Sequence, residues 1–550
     1  MYQGNTTFNT EQIDLHIRTY RSVLKSAGEL KIAKLIDSHL SMNSMLHEMG
    51  QTDDIDIAAF IYVLLRLPSI MSNVKKIILG QSFTVFRNNG FENIEKWQEV
   101  SSAGRRRKMF YDGNSTLVVF IASVTDVDDL ITLLTAFQIE WNKFHHLLAK
   151  STNVAKRTES MLDKTDSDKI KNIWGVEYHK FITAIKHRNV DFTVKLLAGS
   201  YVEYAKSTQY WWNHIVETCS DLDITNRPIY FVSSNTHSIV NILTRFALSE
   251  EKKLIEFLHQ SKNTTLIQLW DAINKGDFLA NKENFLYYIA KKYAASQPEF
   301  LKRKKSIEEK LGIRYIAASH YLDIDTQIIE LSAVANTDLG NKLKLPTKNL
   351  GSSRAVLINI DYPLGWAAYQ VLTEIGQNVE NVKGVYIMGK AATLNGNIGD
   401  ILLPTTVFDQ HTKNIYVIKN AFDNRDFRDI FHTGVVLDNQ KTICAKGTFL
   451  ESRKLIKAWY QEGYSIIEME AGPFLNAAYE FVYYNRYTEN QFINLTNTPF
   501  EIGIAHYASD TPYSKAKNLG VRNLSFEGVE PTYAISQAIL KKIITCEINK

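Results

Sequence analysis

The spacing of apolar residues changes near residue 310. In the first part of the chain, apolar residues recur mostly at helical spacing, as in the stripe Leu130, Leu133, Leu134, Phe137 and Trp141. From Ile313 onward, short apolar runs alternate with helical stretches, which is typical of α/β domains. The pattern predicts a large, mostly helical N-terminal region with a few strands, followed by an α/β domain.

A charged stretch lies where the pattern changes. It runs through Lys302-Arg303-Lys304-Lys305 and Glu308-Glu309-Lys310 and resembles a connector between domains. We therefore expect one domain at residues 1–310 and a second at 311–550, since a chain of this length rarely forms a single domain. The first part could divide into two subdomains, and we expect it to be accessory or regulatory.

Composition narrows the class of protein. The 550 residues are 45% hydrophobic and 22% charged, with a net charge of +4, so bulk electrostatics favour neither nucleic acid nor a membrane as partner. Three distant cysteines, Cys219, Cys444 and Cys546, indicate neither a disulfide framework nor a cysteine metal site. The polar start of the chain and the lack of a run of about 18 apolar residues predict a cytoplasmic protein.

Two polar patterns in the N-terminal region each allow two interpretations. The basic cluster Arg105-Arg106-Arg107-Lys108 is either a phosphate or nucleic-acid contact or a solvated turn. In residues 227–238, a buried strand leads through a polar turn into a helix. That geometry can direct backbone N–H groups at an anion, or it can be an ordinary helix cap by Ser234 or Asn235.

The stretch most suggestive of chemistry is Ser465 to Gly472. An apolar run ends in two carboxylates, Glu468 and Glu470, on either side of Met469, and a helical sequence with Pro473 near its start follows. It predicts a short strand that delivers an acidic group to a helix N-terminus. On a strand the two acids would face the same side, which is costly unless one of them finds a partner.

This stretch resembles the Val-Glu-Met-Glu-Ala signature of the nucleoside phosphorylase/nucleosidase superfamily, which includes purine nucleoside phosphorylases, methylthioadenosine nucleosidases and AMP nucleosidases. Four more segments resemble family motifs in the family's order. They are the glycine turn at Gly389–Leu394, the Gly-Asp-hydrophobic-Pro strand at Gly399–Pro404, the base-pocket loop at Lys441–Phe449, and the Ser-Asp strand at Ile504–Thr511. The resemblance covers residues 310–550 and implies a phosphorylase-like mixed sheet flanked by helices.

The resemblance also implies an activity, the cleavage of the N-glycosidic bond of a purine nucleoside or nucleotide with release of the free base. By this likeness Asp510 is the general acid that protonates the base, and Glu470 binds the ribose hydroxyls. Met469 would pack on the sugar and Phe449 would stack on the base. Ser509 and Gly389 complete the expected substrate-binding residues.

The nucleophile remains open between inorganic phosphate, as a co-substrate, and water. The candidate phosphate-binding residues are Lys390, Gly365 and Ser319. Lys390 stands where the family usually has a small or hydroxyl residue, so it could neutralise a phosphate or block the site. Ala392 replaces the usual glycine, and the end of the first strand, Ser319 included, matches neither phosphorylases nor nucleosidases.

Two classes of function therefore compete. The first is a nucleoside phosphorylase or nucleosidase that needs no cofactor and no metal. The second is a catalytically degraded protein of the same fold that senses nucleosides or nucleotides or acts as a scaffold. Both predict a purine nucleoside or nucleotide as ligand, and the family likeness predicts a homo-oligomer. The base, the 5′ substituent and the oligomeric state stay open.

Overall fold

The secondary structure of this chain is organised around two β-sheets. The computed structural model describes residues 6–276, 280–318, 322–335, 337–484, 486, 489–511 and 526–549. One sheet comes from the first 200 residues and the other from residues 229–510. Within the described stretches, no helix combines the length and the apolar character that crossing a bilayer requires.

The first sheet has six described strands in the order β1-β6-β2-β5-β4-β3, and β2 pairs in parallel with both β5 and β6. The strands are β1 Leu30–Lys31, β2 Lys76–Gly80, β3 Gln98–Ser102, β4 Arg105–Tyr111, β5 Thr116–Phe120 and β6 Thr193–Leu196. The helices of this part are α1 Thr6–Lys25, α2 Ile36–Ser41, α3 Ile57–Leu64, α4 Phe83–Asn88, α5 Val124–Ala149, α6 Val154–Met161, α7 Lys164–Trp174, α8 Tyr178–His187 and α9 Tyr201–Thr218.

The second sheet is larger and mixes parallel with antiparallel pairs. Its strands are β7 Ile229–Ser234, β8 Ile313–Ile316, β9 Thr326–Glu330, β10 Val356–Asp361, β11 Val382–Thr393, β12 Ile401–Asp409, β13 Ile415–Ile418, β14 Val436–Cys444, β15 Tyr464–Glu468, β16 Phe492–Leu495 and β17 Glu501–Asp510. They follow the order β16-β13-β12-β14-β15-β11-β7-β10-β9-β8, and β17 pairs with β11 and β12.

Helices flank the second sheet. They are α10 Ser238–Thr244, α11 Phe246–Ser249, α12 Glu251–Gln260, α13 Thr264–Lys275, α14 Lys282–Ala294, α15 Pro298–Lys310, α16 Leu331–Val334, α17 Leu339–Leu343, α18 Ala367–Asn378, α19 Arg453–Gln461, α20 Ala471–Val482 and α21 Val529–Ile548. The predicted α/β class, with a mixed sheet flanked by helices, is confirmed for this part of the chain.

The domain boundary expected near residue 310 does not separate the two sheets. Strand β7 precedes it, yet β7 pairs in parallel with β10 on one side and β11 on the other, in the middle of the second sheet. The charged stretch that suggested a connector belongs to α15, which buries Phe300 and pairs its charges along the helix surface, as Lys304 does with Glu308. An amphipathic surface helix and a charged linker look alike in sequence.

The turn after β7 settles the two interpretations of residues 227–238. The Asn235 side-chain oxygen accepts hydrogen bonds from the backbone N–H groups of His237 and Ser238 at 3.0 and 2.7 Å. These are the N–H groups at the start of α10 that an anion would otherwise bind. The turn is therefore an ordinary helix cap.

The start of α5, just after β5, contacts the loop that follows β10 in the second sheet. The Thr125 hydroxyl accepts a hydrogen bond from the Trp366 N–H at 2.9 Å. Gly365 has a φ of +53°, and a Cβ at that position would lie 2.4 Å from the Thr125 methyl group. Glycine is thus required here both by conformation and by space. This contact brings the carboxyl end of β5 against the carboxyl end of β10.

The place of β7 yields a test of the domain layout. We expect a fragment of residues 311–550 to fail to fold, because it lacks a central strand and would expose two long unpaired strand edges. Circular dichroism and cooperative urea unfolding of the fragment, compared with the full chain, would measure this. A cooperative, native-like transition in the fragment would contradict the shared sheet.

Candidate functional site

Strand β11 lies between the two motifs that carry the candidate chemistry. Ala392 pairs with Ile467 of β15 on one side and with Asp510 of β17 on the other. Because neighbouring strands are about 4.8 Å apart, the ends of β15 and β17 stand about 10 Å from each other across β11. The sequence separates these ends by some 40 residues, and the sheet brings them to one edge.

Glu468 ends β15 and caps the helix that follows. Its Oε2 atom accepts hydrogen bonds from the backbone N–H groups of Glu470 and Ala471, each at 2.7 Å, and its side chain is buried. Glu470 has left the strand conformation, with φ −123° and ψ −30°, so the alternation expected of a strand does not apply to it. The buried Glu468 is therefore paired with backbone N–H groups at the start of α20.

Burial shifts the protonation of both glutamates. It raises the pKa of Glu468 to about 7, although the two N–H hydrogen bonds act in the opposite direction, and the charge of Asp409 adds to the increase. Burial also raises the pKa of Glu470 well above its usual value, and the neighbouring charge of Glu468 raises it further. A hydrogen bond from the Gly365 backbone opposes that shift. Both shifts favour the protonated form of the carboxyl groups.

Strand β17, which ends at Asp510, carries a bulge at the candidate site. Ala391 pairs with Ala508 and Ala392 with Asp510, so Ser509 has no cross-strand partner in β11. The Ser509 hydroxyl donates a hydrogen bond to Asp510 Oδ2 at 2.8 Å. Bulges often re-aim side chains beside active sites. Here the bulge places the half-buried Asp510 at the sheet edge next to Ala392.

Phe449 is enclosed by residues of the N-terminal part. Its side chain has no exposed surface, and its ring lies 5.9, 6.3 and 5.5 Å, between centroids, from the rings of His39, His47 and Tyr62. In this arrangement the ring belongs to the core shared by the two sheets. Stacking of Phe449 on a base stays a prediction.

The other predicted residues lie around the same edge. Gly389 is buried in β11 opposite His506, and the half-buried Lys390 stands opposite Tyr507. Gly365 contacts Glu470 through its backbone, and the half-buried Met469 sits between the two glutamates. Ser319 lies outside the described residues. The roles of all these residues in binding stay predictions.

Tyr62 is a residue of this region that the sequence did not indicate. From α3, its hydroxyl donates to the Thr448 hydroxyl at 2.9 Å. Burial raises the pKa of Tyr62, and the charges of Asp129 and Asp510 raise it further, so Asp510 lies near enough to act on it. The run that contains Tyr62 is almost wholly apolar, and no local signal connects it with a loop nearly 400 residues away.

The chain belongs to a family of unknown function, DUF6909, whose model matches residues 32–545. That match spans both sheets, so the two parts described above occur together in the family model. No curated protein matches the sequence.

Among solved structures, the chain is similar to a 5′-methylthioadenosine/S-adenosylhomocysteine nucleosidase from Colwellia psychrerythraea, solved in complex with adenine. That match has 10% identity and a TM-score of 0.29, and it covers 44% of this chain and 89% of the other. A methylthioadenosine phosphorylase sourced from an Antarctic soil metagenomic library is similar at 10% identity and a TM-score of 0.28, over 42% and 79% of the two chains. Values this low carry no inference for the present chain.

The buried Glu468 leads to a prediction about stability. Its pKa is about 7 in the folded chain against a usual 4.5, so the folded state keeps a proton that the unfolded chain loses. Stability is therefore lost as the pH rises from 4.5 to 7. Glu468→Gln keeps an acceptor for both N–H groups without this penalty, and should gain roughly 1–3 kcal/mol over the wild type between pH 5 and pH 8.

Urea unfolding at pH 5 and pH 8 measures this difference. The exposed Glu299→Gln serves as the control and should change stability equally at both pH values. If Glu468→Gln differed from the wild type by the same amount at both pH values, the burial of an ionisable proton at this position would be contradicted.

Proposed function

We propose that this chain cleaves the N-glycosidic bond of a purine nucleoside or nucleotide and releases the free base. One observation carries the proposal: the strands that end at Glu468 and at Asp510 both flank Ala392. By the motif resemblance, one end holds the ribose-binding acid and the other the acid that protonates the base. A separation of about 10 Å between the strands suits a nucleoside lying across β11.

The proposed reaction transfers the glycosidic electron pair to the departing purine. Asp510 donates a proton to the base, so that it leaves as a neutral molecule. The Ser509 hydroxyl donates to Asp510 Oδ2 and so helps to orient the carboxyl group. An oxygen of water or of phosphate then bonds to the anomeric carbon. The proton released by the attacking water, or by monohydrogen phosphate in phosphorolysis, restores Asp510.

Glu470 has the complementary role at the sugar. Its carboxylate would accept hydrogen bonds from the ribose 2′- and 3′-hydroxyls and stabilise the positive charge that develops on the ribosyl group. Burial raises the pKa of Glu470, so the ionised form is costly without a ligand. Ribose hydroxyls that donate to it lower that cost, and a developing cation lowers it more. Binding would thus be strongest where the charge develops.

Two residues bear on the choice of nucleophile. Lys390 and Ala392 alternate along β11 with the buried Gly389 and Ala391, so Lys390 shares the face of Ala392. An ammonium group on that face would favour phosphate over water as the attacking group. Phosphorolysis and hydrolysis stay alternatives, since Lys390 already interacts with another group of the chain.

The second candidate is a nucleoside- or nucleotide-sensing protein of the same fold. The enclosure of Phe449 by His39, His47 and Tyr62 argues against base stacking by this ring in either candidate, and so favours a protein of this fold whose catalytic pocket is degraded. The two proposals differ in what Asp510 does. An enzyme loses turnover when the Asp510 carboxyl group is replaced, whereas a sensor keeps most of its ligand binding.

The test is the release of free base, followed by chromatography, from adenosine, inosine, methylthioadenosine and AMP, each with and without phosphate. We expect release from at least one substrate, and Asp510→Asn should lower kcat by at least about 100-fold while binding persists. Asp423→Asn is the matched control, since this aspartate lies in a loop and pairs with Arg425. Its turnover should match the wild type.

Two results would contradict the enzyme. No release from any substrate by folded protein would favour the sensing protein. Full turnover by Asp510→Asn would remove the general acid from the mechanism even if base were released. Release that depends on phosphate would identify a phosphorylase, and release without phosphate a nucleosidase.

A further inference from the structure

Arg107 lies at the carboxyl end of the first sheet, on the side that meets the candidate site. It belongs to β4, whose pairing with β5 matches Met109 to Val119, so Arg107 stands just past the end of β5. Carboxyl ends of parallel strands are common ligand sites in open α/β sheets. The side chain is only 9% exposed, so Arg107 is not part of a solvated turn.

Asp126 fixes the orientation of this guanidinium. Arg107 Nε donates to Asp126 Oδ1 at 3.1 Å. The other carboxylate oxygen, Oδ2, accepts the backbone N–H groups of Ala122 and Ser123 at 2.7 and 3.2 Å. The aspartate is thus held at the start of α5, where the helix dipole favours a negative charge. A guanidinium held in this way loses little entropy when it binds a ligand.

The terminal nitrogens of the guanidinium make no hydrogen bond within the described part of the chain. In the described part of the chain, Nε to Asp126 is the one hydrogen bond that Arg107 makes. Its two terminal nitrogens carry the N–H groups whose spacing matches two oxygens of a phosphate or carboxylate. Since the Asp126 charge is shared by two backbone N–H groups and a helix N-terminus, the ion pair does not exhaust the positive charge of Arg107.

Short steps connect Arg107 with the ribose-binding acid. Asp126 is the chain neighbour of Thr125, whose methyl group packs on Gly365. The Gly365 backbone in turn hydrogen-bonds Glu470. An anion on Arg107 would therefore lie on the N-terminal side of the space next to Glu470, beyond Gly365.

The acid that follows Asp126 along α5 is already paired with a cation. Asp128 is the closest further acid along α5, and it is paired with Arg21 and accepts the Tyr20 hydroxyl at 2.8 Å. A second cation adds to Arg107. Arg66 lies next to the turn between β3 and β4, where the Gly104 N–H donates to the Leu65 carbonyl at 2.6 Å. The Arg66 guanidinium lies 3.6 Å from the centre of the Tyr62 ring.

We infer that Arg107, oriented by Asp126, binds a phosphate group at the candidate site. The inference rests on the proposed function and deepens it. The phosphate is either the substituent of a nucleotide whose ribose meets Glu470 or free phosphate bound beside a nucleoside. The N-terminal part of the chain then recognises part of the substrate and is more than an appended regulator.

Titration calorimetry with the full-length Asp510→Asn variant, which should bind its ligand without cleaving it, tests this. The probes are AMP, adenosine and inorganic phosphate. If the phosphate belongs to a nucleotide, AMP should bind at least about tenfold more tightly than adenosine. Inorganic phosphate should then compete with AMP but not with adenosine. If free phosphate is the ligand, it should bind by itself and leave adenosine affinity unchanged or increased. Equal affinities for AMP and adenosine, with no binding of phosphate, would overturn the inference.

Variants made in the same Asp510→Asn background assign the effect to the guanidinium. Arg107→Lys keeps the positive charge and loses the paired N–H donors of the guanidinium. Arg107→Gln loses both. Because Arg107→Gln leaves Asp126 unpaired and could unfold the chain, the double variant Arg107→Gln/Asp126→Asn removes both charges and retains an oxygen to cap α5. We expect the preference for AMP over adenosine, or the binding of phosphate, to fall at least about tenfold, with adenosine affinity unchanged.

The matched control is Arg227→Gln/Glu330→Gln. Arg227 is similarly buried and pairs with Glu330 at 3.0 Å, but it lies just before β7, at the opposite end of the second sheet. This variant should lose stability and keep the preference. If the double variant at Arg107 lowered the affinities for AMP and adenosine equally, or lowered neither, Arg107 would be structural and the inference would fail.

The outcomes also separate this inference from the proposed function. Base release without any preference for a phosphate-bearing ligand and without phosphate binding would support the enzyme and overturn the phosphate site. Binding of AMP or phosphate through Arg107 without base release would overturn the enzyme and keep the site, as part of a nucleotide-sensing protein.

Discussion

The candidate site depends on one long strand, β11. Its twelve residues pair in parallel with β7 over the first half and antiparallel with β15 near the end, while β17 follows it along most of its length. Since each hydrogen-bonded neighbour fixes the register of the others, a shift of β11 by one residue would move Glu468 and Asp510 relative to each other. The two acids are therefore positioned by sheet geometry and not by loops.

The N-terminal part of the chain forms a second wall against that edge. Thr125 packs on Gly365 so closely that a side chain at residue 365 would clash, and Tyr62 hydrogen-bonds Thr448 beside Phe449. A single hydrophobic core includes residues of α3 and α5 together with Phe449 and Leu450. Burial of charged groups against this wall reduces their solvation, which strengthens the electrostatic interactions among them. The same burial accounts for the raised pKa values of Glu468 and Glu470.

Local sequence was sufficient for much of the secondary structure. The apolar stripe after Thr125 is α5, the run before Glu468 is β15, and the segment after Gly472 lies in α20. These elements are predictable because the spacing of apolar residues follows directly from helix and strand geometry. The end of β15 in an acidic group beside a helix start was predictable for the same reason.

Long-range pairing was not predictable from one sequence. Nothing local to Ile229–Ser234 reveals that it lies between two strands more than 100 residues downstream. The backbone cap of Glu468 was missed because the parity rule assumes a continuous strand, and the chain leaves that conformation at Glu470. The burial of Arg107 depends on its ion pair with Asp126. Because Asp126 lies outside the local sequence, the basic cluster alone could not distinguish a buried arginine from a solvated turn.

The central claim is that a nucleoside lies across β11 between Glu470 and Asp510. A crystal structure of the Asp510→Asn variant with a bound purine nucleoside or nucleotide tests it most directly. The account predicts ribose hydroxyls within hydrogen-bonding distance of the Glu470 carboxylate and a purine ring nitrogen within the same distance of residue 510. A ligand bound elsewhere, with this edge of the sheet unchanged, would contradict it.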